Sequence, residues 1–151
     1  MIKSKFLFNN EGICALGIMS ILELTCELTY SKVMLISPII FNKRIVEFLG
    51  TNSKIRSFEE FRLKQVASIA KFNDMYYNFL PLTINTLVIL EDMGFVELNS
   101  NKIKLKKTLV ESIEINKLGK RAKKIVKIAP KVVTILNEEE NKLYVQLGVR
   151  L

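Results

Sequence analysis

Leu80-Pro81-Leu82-Thr83-Ile84-Asn85-Thr86-Leu87-Val88-Ile89-Leu90-Glu91-Asp92-Met93-Gly94-Phe95-Val96-Glu97-Leu98-Asn99-Ser100-Asn101-Lys102-Ile103-Lys104-Leu105 is the stretch on which the fold turns. Leu82 to Met93 reads as a helix with apolar residues all round, as in a helix buried in the domain or under a partner. Gly94 closes it. Phe95 to Leu98 reads as a short strand and Asn99-Ser100-Asn101 as a turn. Ile103 and Leu105 alternate with Lys102, Lys104 and Lys106, the pattern of a half-exposed strand. A helix that ends in Gly and runs straight into a lysine-fringed hairpin is the wing arrangement, and two helices precede it at helix-turn-helix spacing. The expected fold is α+β and mostly helical: a winged helix with a two-stranded wing, plus flanking N- and C-terminal helices. A generic α+β hairpin is the alternative.

Upstream, Pro81 starts or kinks the helix that ends at Met93, and Asn73-Asp74 reads as a break. Ser57-Phe58-Glu59-Glu60 is a capping box, with Ser at the cap and Glu three residues on. The helix it opens is expected to bury Phe58, Phe61, Val66, Ile69 and Phe72 along one stripe. A second apolar segment runs from Lys32 to Leu49, with Pro38 as a kink or as its true start. Gly50 suits the left-handed position that ends a helix. The first helix is expected from Glu11 to Glu27.

Downstream, Leu118, Ala122, Ile125, Val126 and Ala129 fall on one side of a helix from Lys117 to Ala129, bounded by Pro130. Lys120, Arg121, Lys123, Lys124 and Lys127 fall on the other. The tail from Lys131 to Leu151 reads as mostly helical. No repeat or linker divides the chain, so residues 1–151 form one domain by length and pattern. Within it, 1–50 holds the N-terminal helices, 57–108 the winged-helix core and 112–151 a C-terminal helical extension.

Composition narrows the function. Half of the residues are apolar, 49%, and the mean hydropathy is positive, +0.22. That surplus points to surface covered by a partner; a dense helical core is the other reading. The longest apolar stretch, Ile13 to Phe41, is interrupted by Glu23, Glu27, Lys32 and Pro38, so no window reaches the roughly 20 apolar residues of a membrane span. Lys3 and Lys5 are not followed by a clean apolar region and a cleavage site, so a signal peptide is not expected. Cys14 and Cys26 sit in apolar helical sequence and read as buried small hydrophobes, which fits a cytoplasmic protein. The chain has no histidine, which removes the usual general base and the commonest metal ligand. Glu11, Glu23, Glu27, Glu91 and Asp92 form no catalytic motif, and no nucleotide-binding glycine loop or metal spacing occurs. No enzyme activity, cofactor or metal is expected.

The formal charge of +8 is concentrated. Lys102 to Lys131 carries eleven basic and two acidic residues, a net +9, so the rest of the chain is −1. Lys102, Lys104, Lys106, Lys107, Lys120, Arg121, Lys123, Lys124 and Lys127 are therefore candidates for phosphate contact, which would be non-specific and salt-sensitive. A solvated lysine face, an acidic partner surface and an anionic membrane are the other readings. The helix before the hairpin argues against reading bases. It has no Lys, Arg or Gln, and only Asn85 offers the groups that reach base edges.

The order of these pieces resembles the middle component of bacterial three-component ABC systems, a group that includes the small subunit of Lamassu-type anti-phage defence. The resemblance begins at Phe8-Asn9-Asn10 and continues through Ile36-Ser37-Pro38-Ile39-Ile40-Phe41-Asn42-Lys43-Arg44. It takes in Leu80-Pro81-Leu82-Thr83, the hairpin, Thr134-Ile135, and the closing Leu147-Gly148-Val149-Arg150. Ser37 stands where the family often has Leu, and Asn137 to Leu143 looks like extra length. The resemblance implies an accessory subunit encoded with an SMC- or Rad50-like ATPase and an effector, coupling DNA sensing to that effector. Partners would be the ATPase, the effector and the DNA backbone reached through the complex, with no membrane. Candidate partner contacts are Phe8, Met34, Ile39, Phe41, Lys43, Arg44, Val149 and Arg150. A winged-helix transcription regulator or antitoxin-like repressor is the alternative.

Overall fold

A computed structural model describes residues 10–51, 54–109, 114 and 117–151. It is mostly helical with one small antiparallel sheet. Its central pillar is α1, Asn10–Thr25, in which Gly12 to Met19, Ile21 and Leu22 are all buried. A helix apolar on every side needs neighbours on every side. Here they are chiefly α7 (Phe72–Asp92) and α8 (Lys120–Leu136), with α3 (Ile36–Ile40) closing a further flank. Gly17 sets how near α3 comes: a Cβ there would lie 2.4 Å from Ile40 Cδ1 and 3.6 Å from Ile125 Cγ2. Each buried Leu, Ile or Met on α1 contributes roughly 1.5–3 kcal/mol of transfer free energy.

The first helix stops short of Glu27. Thr25 Oγ1 donates back to the Ile21 carbonyl, Cys26 adopts φ +68°, and the chain extends as β1, Glu27–Thr29. This third strand was not expected. It pairs antiparallel with β3 (Lys102–Leu105), which also pairs with β2 (Val96–Leu98), giving the order β1-β3-β2. The register puts Leu28, Ile103 and Leu98 in one row facing the core, and Glu27, Lys104 and Glu97 in the outward row. Cys26 is exposed, contrary to expectation, because the left-handed turn carries it out of the helix; Cys14 is buried.

Lys32 to Leu49 is three short helices, not one: α2 (Tyr30–Val33), α3, and α4 (Lys43–Leu49). Asn42 caps α4 by accepting the Ile45 N–H at 3.2 Å. Pro38 lies in the first turn of α3, where a missing N–H costs nothing. Gly50 has φ −77° and is not left-handed. Ser57 does cap α5 (Phe58–Lys64), accepting the Glu60 N–H, but the Glu60 carboxylate takes the Arg56 N–H instead of the cap's own. α5 breaks at Gln65 and a single turn, α6 (Val66–Ile69), follows, so the expected stripe is interrupted and Val66 is exposed.

Two prolines lie inside helices: Pro130, whose expected place was a helix boundary, and Pro81, read as a start or a kink. Asn73-Asp74 falls in the first turn of α7, and Pro81 sits in its middle. Pro130 is interior to α8. A proline costs a helix interior about 3 kcal/mol. On α8 that cost is offset by the burial of Ile128, Ala129, Val132, Ile135 and Leu136 around it. Both prolines point to solvent, so neither ring disturbs the core.

Two helix ends share one device. Gly94 (φ +79°) follows α7 and Gly148 (φ +74°) follows α9, Glu140–Gln146. At each, the residue after the Gly donates back across the turn, Phe95 to the Leu90 carbonyl and Val149 to the Tyr144 carbonyl, while the Gly itself donates to Glu91 or Val145. The first turn aims the chain into β2. The second aims the C-terminal residues at α7, where Asn73 Oδ1 accepts the Arg150 N–H and Tyr77 donates its hydroxyl to the Arg150 carbonyl.

Inside, one buried polar chain ties α1, α3 and α7. Thr83 Oγ1 donates to the Phe79 carbonyl at 3.0 Å, which uses its single hydrogen. Ser37 Oγ must therefore donate to Thr83 (2.6 Å), and the Cys14 thiol to Ser37 (3.2 Å). Burial pushes the Cys14 thiol up, opposed by its hydrogen bonds to the neighbouring hydroxyls, so it keeps the proton this chain of donors requires.

Candidate docking clefts and the basic face

The basic residues do not form one surface. On the open face of the sheet, Lys102 Nζ pairs with Glu27 at 3.0 Å, and Lys104 lies between Glu27 and Glu97 in the strand register. The hydrogen bond from Lys102, then its charge and that of Lys104, hold the Glu27 carboxyl below its usual range. Carboxylates brought from β1 and β2 thus balance the β3 lysines. Lys107 lies over the Phe95 ring, 4.7 Å from its centre, and Lys106 is exposed beyond the strand.

The α8 cations are different. Lys120, Arg121, Lys123, Lys124 and Lys127 are all exposed, and among the described residues none of them makes an ion pair. Lys131, on the same helix, reaches the Leu49 and Thr51 carbonyls, both at 2.7 Å, and so ties α8 to the end of α4.

Between these two helices lies a cleft of about 430 Å³. Ile40, Phe41, Val46 and Ile125 form its floor, and Lys43, Glu47, Lys120, Arg121 and Lys124 its rim. Phe41 stacks on Phe79 with ring centres 4.6 Å apart, and the Arg121 guanidinium sits over Phe41 at 5.0 Å. Five expected residues meet here: Phe41 and Lys43 from the partner-contact set, Lys120, Arg121 and Lys124 from the phosphate set. Val46 and Glu47 were not singled out. No local signal marks them, since the opposing wall comes from a helix far along the chain.

Met34 and Val149 go elsewhere. They line a second cleft, about 470 Å³, among α2, α7 and α9. Tyr144 donates its hydroxyl to the Ser31 carbonyl at 2.6 Å and so receives from Tyr76 at 3.3 Å; Ser31 in turn donates to Glu140 at 2.9 Å. Burial is the main cause pushing the Tyr144 phenol well above its ordinary value. These groups bind one another, and the cleft seats the C-terminal turn.

Ile39 is fully buried, so it is a core residue and not a contact surface, since its neighbours in α3 are packed under α1 and α7. Arg44 and Arg150 are exposed. Phe8 lies outside the described residues. The helix read as apolar all round is enclosed on one side only. Thr83, Thr86, Leu87 and Leu90 of α7 are buried, whereas Tyr77, Ile84 and Val88 are 43%, 47% and 49% exposed. These three, with exposed Pro81, follow one another along the outer side, which carries no Lys or Arg.

Among the described residues, no group of His, Cys, Asp and Glu has the arrangement to hold a metal ion. No helix there is long and apolar enough to cross a membrane. A family model described as ABC-three component (ABC-3C) system Middle Component 3 matches residues 22–151. The match takes in the sheet, both clefts and the closing turn, and leaves Phe8-Asn9-Asn10 outside. No curated protein and no solved structure matches the chain.

Proposed function

Because the chain belongs to the ABC-three component system Middle Component 3 family, we propose that it is a non-catalytic accessory subunit of a Lamassu-type defence complex. In this reading it docks on an SMC- or Rad50-like ATPase and helps couple DNA sensing to an effector. The family match supports the accessory-subunit part of this reading, and the ordered motifs that resemble the Lamassu small subunit support the rest. We also read the order of helix, strand, helices, long helix and hairpin, with strands arranged β1-β3-β2, as a winged helix into which α4 to α6 are inserted.

The outer side of α7 favours protein contact. It presents Tyr77, Ile84 and Val88 with Glu91 and Asp92 beyond them, and no cation to pair with a phosphate. A promoter-reading regulator is poorly served by such a helix. Backbone contact with DNA falls instead to Lys123 and Lys127, which are exposed and outside the α4/α8 cleft.

Co-purification with the other components of its system tests the reading. The chain should elute with them as one species. A chain that remains apart from them at micromolar concentration would refute it. Within the complex, Lys123→Glu with Lys127→Glu should weaken binding to any duplex alike and lower the salt slope by about one per lysine.

A further inference from the structure

We propose that the cleft between α4 and α8 is a docking site for a short acidic segment of a partner protein, one that carries an apolar anchor side chain between its carboxylates. The inference rests on the accessory-subunit reading and adds the chemistry of one contact.

The cleft asks for two things at once. Its floor is apolar, and its volume of about 430 Å³ is in the range of sites that take a few buried groups. Water over such a floor is released when an apolar side chain replaces it. Its rim carries four cations against the single carboxylate of Glu47, and no ion pair among the described residues neutralises them. Carboxylates placed on the rim would relieve that repulsion as the anchor enters.

The site is also held in shape before anything binds. Lys131 fastens the two helical walls together through the Leu49 and Thr51 carbonyls. Phe41 stacks on the Phe79 ring and carries the Arg121 guanidinium over it, so the cation is already held against the cleft floor. Little ordering remains to be done on binding.

A nucleic-acid backbone meets the rim but not the floor. Phosphates would leave the apolar wall wet. A protein segment supplies the anchor as well as the charge, and its N–H groups suit Glu47.

The test uses the assembled complex, with p-benzoylphenylalanine in place of Glu47 as a photo-crosslinker. The cross-linked peptide should come from another protein component and should hold Asp or Glu on both sides of an apolar residue. A synthetic peptide of that sequence should then bind the purified chain, and Arg121→Glu with Lys124→Glu should weaken it about tenfold or more. Exchanging the peptide's acidic residues for lysine should restore binding to the reversed cleft. Should that pair of changes unfold the chain, as judged by circular dichroism, Lys43→Glu alone replaces it. Cross-linking to DNA, to a segment without carboxylates, or to nothing in an intact complex overturns the proposal. Failure to assemble at all refutes the accessory-subunit reading instead and takes this inference with it.

Discussion

Replacing Thr83 by Val should destabilise the protein by about 2 kcal/mol, and replacing Ser37 by Ala by about 1 kcal/mol, because the two changes strand different groups. Thr83, Ser37 and Cys14 form a directed chain ending on the Phe79 carbonyl. Thr83→Val keeps the shape but removes the acceptor of a buried hydroxyl, leaving the Ser37 O–H unpaired. Ser37→Ala strands only the Cys14 thiol, a weak donor, since Thr83 still spends its hydrogen on Phe79. In the double variant there is no Ser37 hydroxyl to strand, so its cost should fall below the sum of the singles by about 1 kcal/mol. Urea unfolding reads this directly. With a slope of about 2 kcal/mol per molar, the midpoints should fall by about 1 M for Thr83→Val and about 0.5 M for Ser37→Ala. Equal costs for the two singles, or strict additivity in the double, would show that the hydrogens do not run in the direction assigned.

Leu87→Ala should cost about 2–4 kcal/mol by leaving a cavity under α7, seen as a melting point roughly 6–12 °C lower, whereas Val88→Gln on the outer side should stay within about 0.5 kcal/mol. Gly148→Ala meets no atom within 4 Å, so its cost is the left-handed backbone alone, about 1–2 kcal/mol, and limited proteolysis should show the C-terminal residues released from α7. Stability should also fall as pH rises above about 9. The buried Cys14 thiol keeps its proton in the native state while the unfolded chain, near the ordinary value of 9.0, begins to lose it. The contribution is fully present below that pH and is lost as pH climbs toward the raised native value. Cys14→Ala should flatten this part of the stability–pH curve relative to the parent; an unchanged slope would place the thiol in contact with water.

Local signals were legible at several positions where a residue acts on its own backbone, though not at Gly50, whose expected left-handed turn is absent. Gly94 and its left-handed turn, the Ser57 cap, the β2-β3 hairpin with its asparagine turn, and the two-faced α8 all follow from side chains within a few positions of one another. The mostly helical α+β class and the family resemblance were readable for the same reason, since both rest on the order of such pieces along the chain.

What needed three dimensions was anything set by neighbours distant in sequence. Pro81 and Pro130 stay inside their helices because the packing around them outweighs a lost hydrogen bond, a comparison no local rule contains. β1 exists because β3, some 75 positions on, offers it an edge, and that pairing also delivers a carboxylate that balances the β3 lysines. The +9 segment was real as arithmetic, yet its charge divides between a balanced sheet face and the Lys120, Arg121, Lys123, Lys124 and Lys127 face of α8, which makes no ion pair among the described residues. The cleft that joins Phe41 and Lys43 to Arg121 and Lys124 was invisible for the same reason. Burial and electrostatics depend on distance through space, and only the folded chain brings α4 against α8.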